Sequence, residues 1–342
     1  MPLQQIDEQK STPDDVQRTA ESILRILLPF HRAEKSHEHH IATCFQDQIN
    51  QIKYFVENGE PLIFSLPAFP CKSPNLYKVL GHLPDLGELV SLRFLDRICQ
   101  DVEKVYAPGA SVLICSDGHV FGDLIHVSDE HITEYAAELQ GMVDQQELTH
   151  LELFNLDDVY GDLSYDDKRK LLVSDYGESI EDLRAEVHED ERTLAIYRGM
   201  TRFVFEDTLG PDYTGTRSAL LRDSRRRAYG VLQRSRAWSQ LVDQSVRSVR
   251  LSIHPHACGT PKFGIMLLEA ADSWLTPWHS VAVRQGPRVV LKKRAEAEQT
   301  ARLVTIGGRP SHFVVRYRNH ADDSDRAPRS VALSETAASN GG

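Results

Sequence analysis

Phe64 to Glu88 reads FSLPAFPCKSPNLYKVLGHLPDLGE. It starts as an apolar strand and breaks at Pro67 and Pro70. Lys72, Asn75, Lys78, a Pro84-Asp85 step and Glu88 follow within a few residues. Apolar residues then recur every three or four positions, which predicts a helix over Asp85–Val105. A strand, a polar loop and a helix in that order form the first unit of a parallel sheet.

The same alternation continues outward. PLIFSLPAF (Pro61–Phe69), SVLICSDG (Ser111–Gly118) and HLELFNLDD (His150–Asp158) read as three strands, with a helix over Glu130–Gln145 between the last two. Two further helical patterns, Val16–Pro29 and Ile41–Asn58, precede them. The predicted fold is α/β, a mostly parallel sheet flanked by helices. Residues 165–247 read as a helical insert. Beyond it, VRLSIHPH, KFGIMLLEA, HSVAVRQ, RVVLKKR, ARLVTIGG and HFVVRYR form a β-rich C-terminal part that adds hairpins or extra strands. The predicted organisation is a disordered N-terminus (1–15), one α/β domain (16–318) and a disordered polar tail (319–342).

Composition narrows the function classes. A net charge of -11 over 342 residues argues against a general binder of nucleic acid or anionic membrane. No apolar run is long enough to span a bilayer, and the polar start MPLQQIDEQKSTPDD does not resemble a signal peptide, so a cytoplasmic protein is expected. Cys44, Cys71, Cys99, Cys115 and Cys258 are odd in number and lack CxxC spacing, which fits free thiols. There is no GxGxxG, P-loop or GxSxG motif.

Ligands of open parallel sheets bind outside the carboxyl ends of the strands. The first strand is followed there by Lys72, Ser73, Asn75 and Lys78. The second is followed by Ser116, Asp117, Gly118 and His119, and the third leads to Asn155, Asp157 and Asp158. Later segments add Arg250, His254, His256, Trp278, His279, Arg309 and His312. The set suits a small, polar, anionic ligand beside an aromatic wall. Each member also has a plainer reading: solvated lysines, a common SDG turn, histidines satisfied within the structure. His254 and His256 share one face if they lie on a strand. The run SHEHH (Ser36–His40) with Cys44 lacks standard zinc-ligand spacing.

Taken in order, FSLPAFPCKSPNLYKVLGHLPDLGE, SDGHVFGDLI, VRLSIHPH, TPWHSV and GGRPSHF resemble the isocyanide (isonitrile) synthase family, also called the pyoverdine/dityrosine biosynthesis family. The resemblance runs from about Ile23 to Tyr317. His119 and His312 depart from it, standing where an arginine and an aromatic residue are more usual. It implies a Rossmann-like fold and conversion of an aromatic amino acid's α-amino group, tyrosine or tryptophan, to an isocyanide. The new carbon would come from C2 of ribulose 5-phosphate. It implies no metal, nucleotide or redox cofactor, and an iron- and 2-oxoglutarate-dependent oxygenase as pathway partner. A relative forming an N-formyl amino acid is one alternative. A non-catalytic sugar-phosphate-binding protein is another. A methyltransferase lacks its glycine-rich loop here.

That chemistry assigns roles. Lys72 and Lys78 would meet the phosphate, with Lys72 alternatively serving the developing oxyanion or a Schiff base. Arg250 and Arg309 would fork the amino-acid carboxylate. Asp117, His254 and His279 would move protons. Phe69 and Trp278 would wall the aromatic side chain, with Ser116 beside them. Asp85 and Glu88 would either orient the lysines and sugar hydroxyls or cap a helix.

Overall fold

The structure is a computed structural model and describes residues 12–32, 41–269 and 274–315. The predicted C-terminal tail, most of the predicted N-terminal tail and the SHEHH run lie outside the described residues.

The first helix, α1 (Pro13–Leu27), begins three residues earlier than its apolar pattern suggests. Thr12 and Asp15 form a reciprocal capping box and Pro13 takes the first helical position. The predicted helix over 41–58 is two, α2 (Ile41–Cys44) and α3 (Gln46–Asn58), separated at Phe45. Then follow β1 (Leu62–Leu66), α4 (Leu86–Glu103), β2 (Ala110–Cys115), α5 (Gly118–Ile125), α6 (Asp129–Gln145) and β3 (Leu151–Phe154). The third strand stops short of its predicted end because Asn155 caps a short helix, α7 (Leu156–Tyr160), with Asp158 closing the box. Asn155 and Asp158 are therefore capping groups. Four helices fill the middle: α8 (Tyr165–Tyr176), α9 (Ile180–Glu189), α10 (Glu191–Thr208) and α11 (Arg217–Ser245).

The β-rich end divides in two. β4 (Val249–Ser252) and β5 (Phe263–Gly264) join the first three strands in a parallel sheet of order β3-β2-β1-β4-β5. β6 (Val281–Gln285), β7 (Arg288–Lys292), β8 (Ala301–Ile306) and β9 (Arg309–Val315), with α12 (Arg294–Thr300), build a second, mixed sheet of order β7-β6-β9-β8. Val281, Val283, Ala297, Ala301 and Phe313 form its own small core. The main core lies between the parallel sheet and α1, α3, α4 and α6, with Phe64, Leu66, Leu92, Ile98, Ile114 and Tyr135 almost fully buried.

Strand order reverses beside β1: β2 and β3 extend to one side, β4 and β5 to the other. A crevice opens at such a reversal, outside the carboxyl ends of the two strands that part there. The loops after β1 and β4 border it. His254 and His256 lie on the second of these loops and not on a strand, so strand alternation does not govern them. A disulfide joins Cys44 to Cys258 on the same loop, correcting the expectation of five free thiols. Cys71, Cys99 and Cys115 are free and buried. No described helix is long and apolar enough to cross a membrane.

Candidate active site

The loop after β1 is clamped on several sides. The Ser73 amide donates to the Trp278 carbonyl (2.9 Å), which ties it to the 3-10 turn Pro277–His279. Asn75 Nδ2 donates to the carbonyls of Glu206 (2.8 Å) and Leu209 (3.2 Å) at the end of α10. Ser116 Oγ donates to the Phe69 carbonyl (2.9 Å). A Cβ on Gly118 would sit 2.1 Å from the Pro70 carbonyl oxygen, so the loop backbone lies directly against the end of β2. Phe69 is held there at φ 55°, a conformation a bulky residue seldom adopts.

The two lysines of this loop have different fates. Lys72 is completely dry. Its ammonium donates to Asp85 Oδ2 (2.8 Å), Glu88 Oε2 (2.8 Å) and the Pro277 carbonyl (3.0 Å), which uses its three N–H donors. It cannot meet a phosphate or an oxyanion from this position; it fastens the loop to α4. Asp85 and Glu88 satisfy both of their sequence readings at once. They form the capping box of α4 and they hold the lysine. Tyr135 OH donates to Glu88 Oε1 (3.3 Å). Burial pushes Glu88 up to about 7 against the opposing pull of Lys72, and pushes the Tyr135 phenol well above its ordinary value. Burial works against the Lys72 charge, but the two carboxylates outweigh it and keep the ammonium protonated.

Lys78 faces the crevice. Its Nζ donates to Asp207 Oδ1 (2.5 Å), and the other oxygen of Asp207 lies 3.1 Å from His279 Nε2. Thr276 Oγ1 meets His279 Nδ1 at 3.2 Å, so both imidazole nitrogens are held. Burial opposes ionisation of Asp207, but His279 and Lys78 outweigh it and hold the carboxyl below its ordinary value. Phe203 packs edge-on to the His279 ring (5.1 Å). Phe69 and Trp278 pack together at 5.2 Å, both buried. The sequence reading missed Asp207, Phe203 and Tyr135. Asp207 sits near the end of an ordinary helix, 72 residues from its histidine, and no local motif marks it.

Asp117 caps no helix N–H with its side chain, and burial pushes its carboxyl up to about 7. Its charge and that of Asp207 both act on the Cys71 thiol, whose ionisation burial already suppresses. His254 is accessible to solvent, yet desolvation and then Arg32, Lys262 and His279 lower its pKa. The charge of His279 reaches it, which sets it within electrostatic range of the Asp207–His279 pair. Side-chain contacts link Lys78, Asp207, His279, Trp278 and Phe69 in turn, Asp117 and His254 stand in electrostatic reach of this cluster, and Ser116 supports Phe69.

Two arginines do not gather there as forks. Arg309 donates to Glu138 Oε1 (2.8 Å) and to the Pro84 carbonyl (3.4 Å), bracing β9 against α6. Arg250 is buried and turned to α11, where it meets Asp243 and both the carbonyl (3.4 Å) and hydroxyl (3.2 Å) of Ser239. His119 stacks on Tyr165 (3.6 Å) and bonds Thr133 (3.1 Å), and His312 is buried in the second sheet. Among the described residues, His82, on the loop after β1, and His131 and Glu134, on α6, place ligand atoms within 4.8 Å of one another.

Comparison with known proteins agrees with this architecture. The family described as "Pyoverdine/dityrosine biosynthesis protein" matches residues 52–304. An L-tyrosine isonitrile synthase of Pseudomonas aeruginosa is 47% identical over 297 residues, covering 85% of this chain and 90% of the relative. An L-tryptophan isonitrile synthase of Fischerella ambigua is 42% identical over 272 residues, covering 79% and 82%. The crystal structure of the PvcA protein from Pseudomonas aeruginosa superposes with a TM-score of 0.83 at 44% identity, covering 87% of this chain and all of that one. With the motif series, the parallel sheet and these matches in agreement, the chain belongs to the pyoverdine/dityrosine biosynthesis family, the isocyanide synthases.

Proposed function

We propose that the protein converts the α-amino group of an aromatic L-amino acid, tyrosine in preference to tryptophan, to an isocyanide. The carbon comes from C2 of ribulose 5-phosphate, and one carbon replaces two amine hydrogens. The preference for tyrosine leans on the two tyrosine-named relatives at 47% and 44% identity, above the tryptophan-named ones at 42% and 36%. The reaction needs no metal, nucleotide or redox cofactor. An iron- and 2-oxoglutarate-dependent oxygenase consumes the product, in the cytoplasm.

The observation that carries this reading is the pairing of an aromatic wall with proton-handling groups at the strand-order reversal. Phe69 and Trp278, packed on each other and buried, form the apolar backing of the aromatic side chain's site. The amine must be neutral to attack a ketone. His254, held neutral by its surroundings, and Asp117, titrating near 7, can accept its proton. His279, oriented by Asp207 and Thr276, moves protons as carbinolamine gives way to imine and a C–C bond breaks. Lys78 and Lys72 act one step back: Lys78 fixes Asp207, and Lys72 fixes the loop that carries Phe69.

The test is mass spectrometry of the purified protein with C2-labelled ribulose 5-phosphate and tyrosine or tryptophan in separate reactions. A labelled isocyanide, formed faster from tyrosine, is expected. A labelled product heavier by one water would be the formamide and would overturn the isocyanide assignment.

A further inference from the structure

We propose that Lys262, Arg250, His256 and the Ser239 hydroxyl form an anion seat that takes the phosphate of a phosphosugar, on the α11 side of the crevice. The inference deepens the proposed function and rests on it for the identity of the sugar. Its geometric basis is separate.

Two cations converge on one oxygen. Lys262 Nζ and Arg250 Nη2 both lie 3.2 Å from Ser239 Oγ. Arg250 has an acidic partner in Asp243, whereas Ser239 Oγ is the hydrogen-bond partner of Lys262, and no carboxylate among the described residues pairs with that lysine. Two buried nitrogens nearby, Arg250 Nε and His256 Nε2, have no hydrogen-bond partner. Buried polar nitrogens are seldom left unpaired, and one that is calls for an explanation, a bound ion among them. Desolvation first, then Arg250 and Arg192, disfavour the Lys262 charge. Desolvation, Lys262 and His254 hold His256 down to about 4. Like charges crowded together disfavour one another, Asp243 offsets only the Arg250 side, and a bound dianion would add a favourable interaction with each cation. The protein as a whole carries a charge of -11, so this concentration of cations is a local exception that focuses anions.

The seat is also in the right place. Lys262 directly precedes β5 and Arg250 lies on β4. A Cβ on Gly264 would stand 2.8 Å from the His254 carbonyl oxygen, so β5 packs straight onto the loop and sets its height. The disulfide at Cys258 anchors the other end of that loop to Cys44. His254 bridges the two halves, feeling both Lys262 and His279. In the proposed arrangement the phosphate sits on Lys262, and the sugar extends along the loop between β4 and β5 that carries His254.

Titration calorimetry on the full chain tests the seat with inorganic phosphate, ribulose 5-phosphate and unphosphorylated ribulose, on wild type, Lys262→Met and the charge-reversed Lys262→Glu. Loss of one charge-assisted phosphate contact should weaken phosphate and ribulose 5-phosphate roughly ten-fold in Lys262→Met and more in Lys262→Glu. Ribulose and tyrosine should bind as before, which shows the fold intact. Phosphosugar and phosphate affinities within about two-fold of wild type in both variants overturn the seat. Phosphate binding that depends on Lys262, with no isocyanide formed from ribulose 5-phosphate and tyrosine, upholds the seat and overturns the carbon-donor assignment instead.

Discussion

Lys72 and Lys78 stand six residues apart in one loop, and their surroundings make them different chemical objects. Lys72 has no exposed side-chain area and three acceptors, two of them carboxylates. Lys78 keeps 24% of its side chain exposed and shares Asp207 with a histidine. The first is an ionic rivet between loop and helix; the second joins the partly exposed cluster of Asp207 and His279. A charged residue in a ligand loop is therefore not thereby a ligand contact, and burial decides which it is.

The strongest way to break this contrast is Lys72→Met. It leaves Asp85 and Glu88 buried against each other without a cation, and the cost of such an uncompensated pair is about 3–5 kcal/mol. Urea unfolding should show it, and Lys72→Met/Glu88→Gln should recover a large part. A stable Lys72→Met protein with a normal urea midpoint would mean the rivet bears no load.

Asp207→Asn probes the other cluster. It removes the charge that orients His279 and holds Lys78, so kcat should fall roughly a hundred-fold with little change in the KM for tyrosine. A uniform rise in KM with unchanged kcat would place Asp207 in binding and not in proton handling.

Asp117 sharpens the comparison by pH. Its folded pKa, about 7, lies above its ordinary 3.8. Between those values the folded state binds more protons than the unfolded one, so this group's contribution to stability falls as pH rises through that window. Asp117→Asn removes the effect. Its melting temperature relative to wild type should climb from about pH 4 to pH 7 and then level off. Glu88, also raised to about 7, pulls in the same direction but stays in both proteins and cancels in the difference.

The parallel sheet was legible because its strands and helices are local patterns: apolar runs, prolines that end them, and the Asp85–Glu88 box that starts α4. Phe69, Asp117, His254, Trp278 and His279 could be singled out in the sequence because they follow strands or sit in distinctive motifs. Asp207 was not, since its role exists only when α10 meets a turn 72 residues away. The Cys44–Cys258 bridge spans 214 residues and was hidden for the same reason. Lys72 was misread because sequence shows charge but not access to solvent. The contacts of Arg250 with Asp243 and Ser239 were not legible because a strand has two faces, and only the packed fold says that this residue turns to α11.

Arg309 carries the smallest expected effect and separates motif from site. Its place in GGRPSHF suggested a carboxylate fork, yet it braces Glu138 with both side chains about 40% exposed (41% and 43%). Pairs that exposed contribute at most about 1 kcal/mol, since water and salt screen them. Arg309→Ala should therefore leave the tyrosine KM unchanged and lower the urea midpoint only slightly, an effect that salt erodes further. A ten-fold rise in the KM for tyrosine, about 1.4 kcal/mol of lost binding, is more than a screened surface pair supplies. That result would draw the second sheet into the active site and move the boundary between rivet and crevice that Lys72 and Lys78 define.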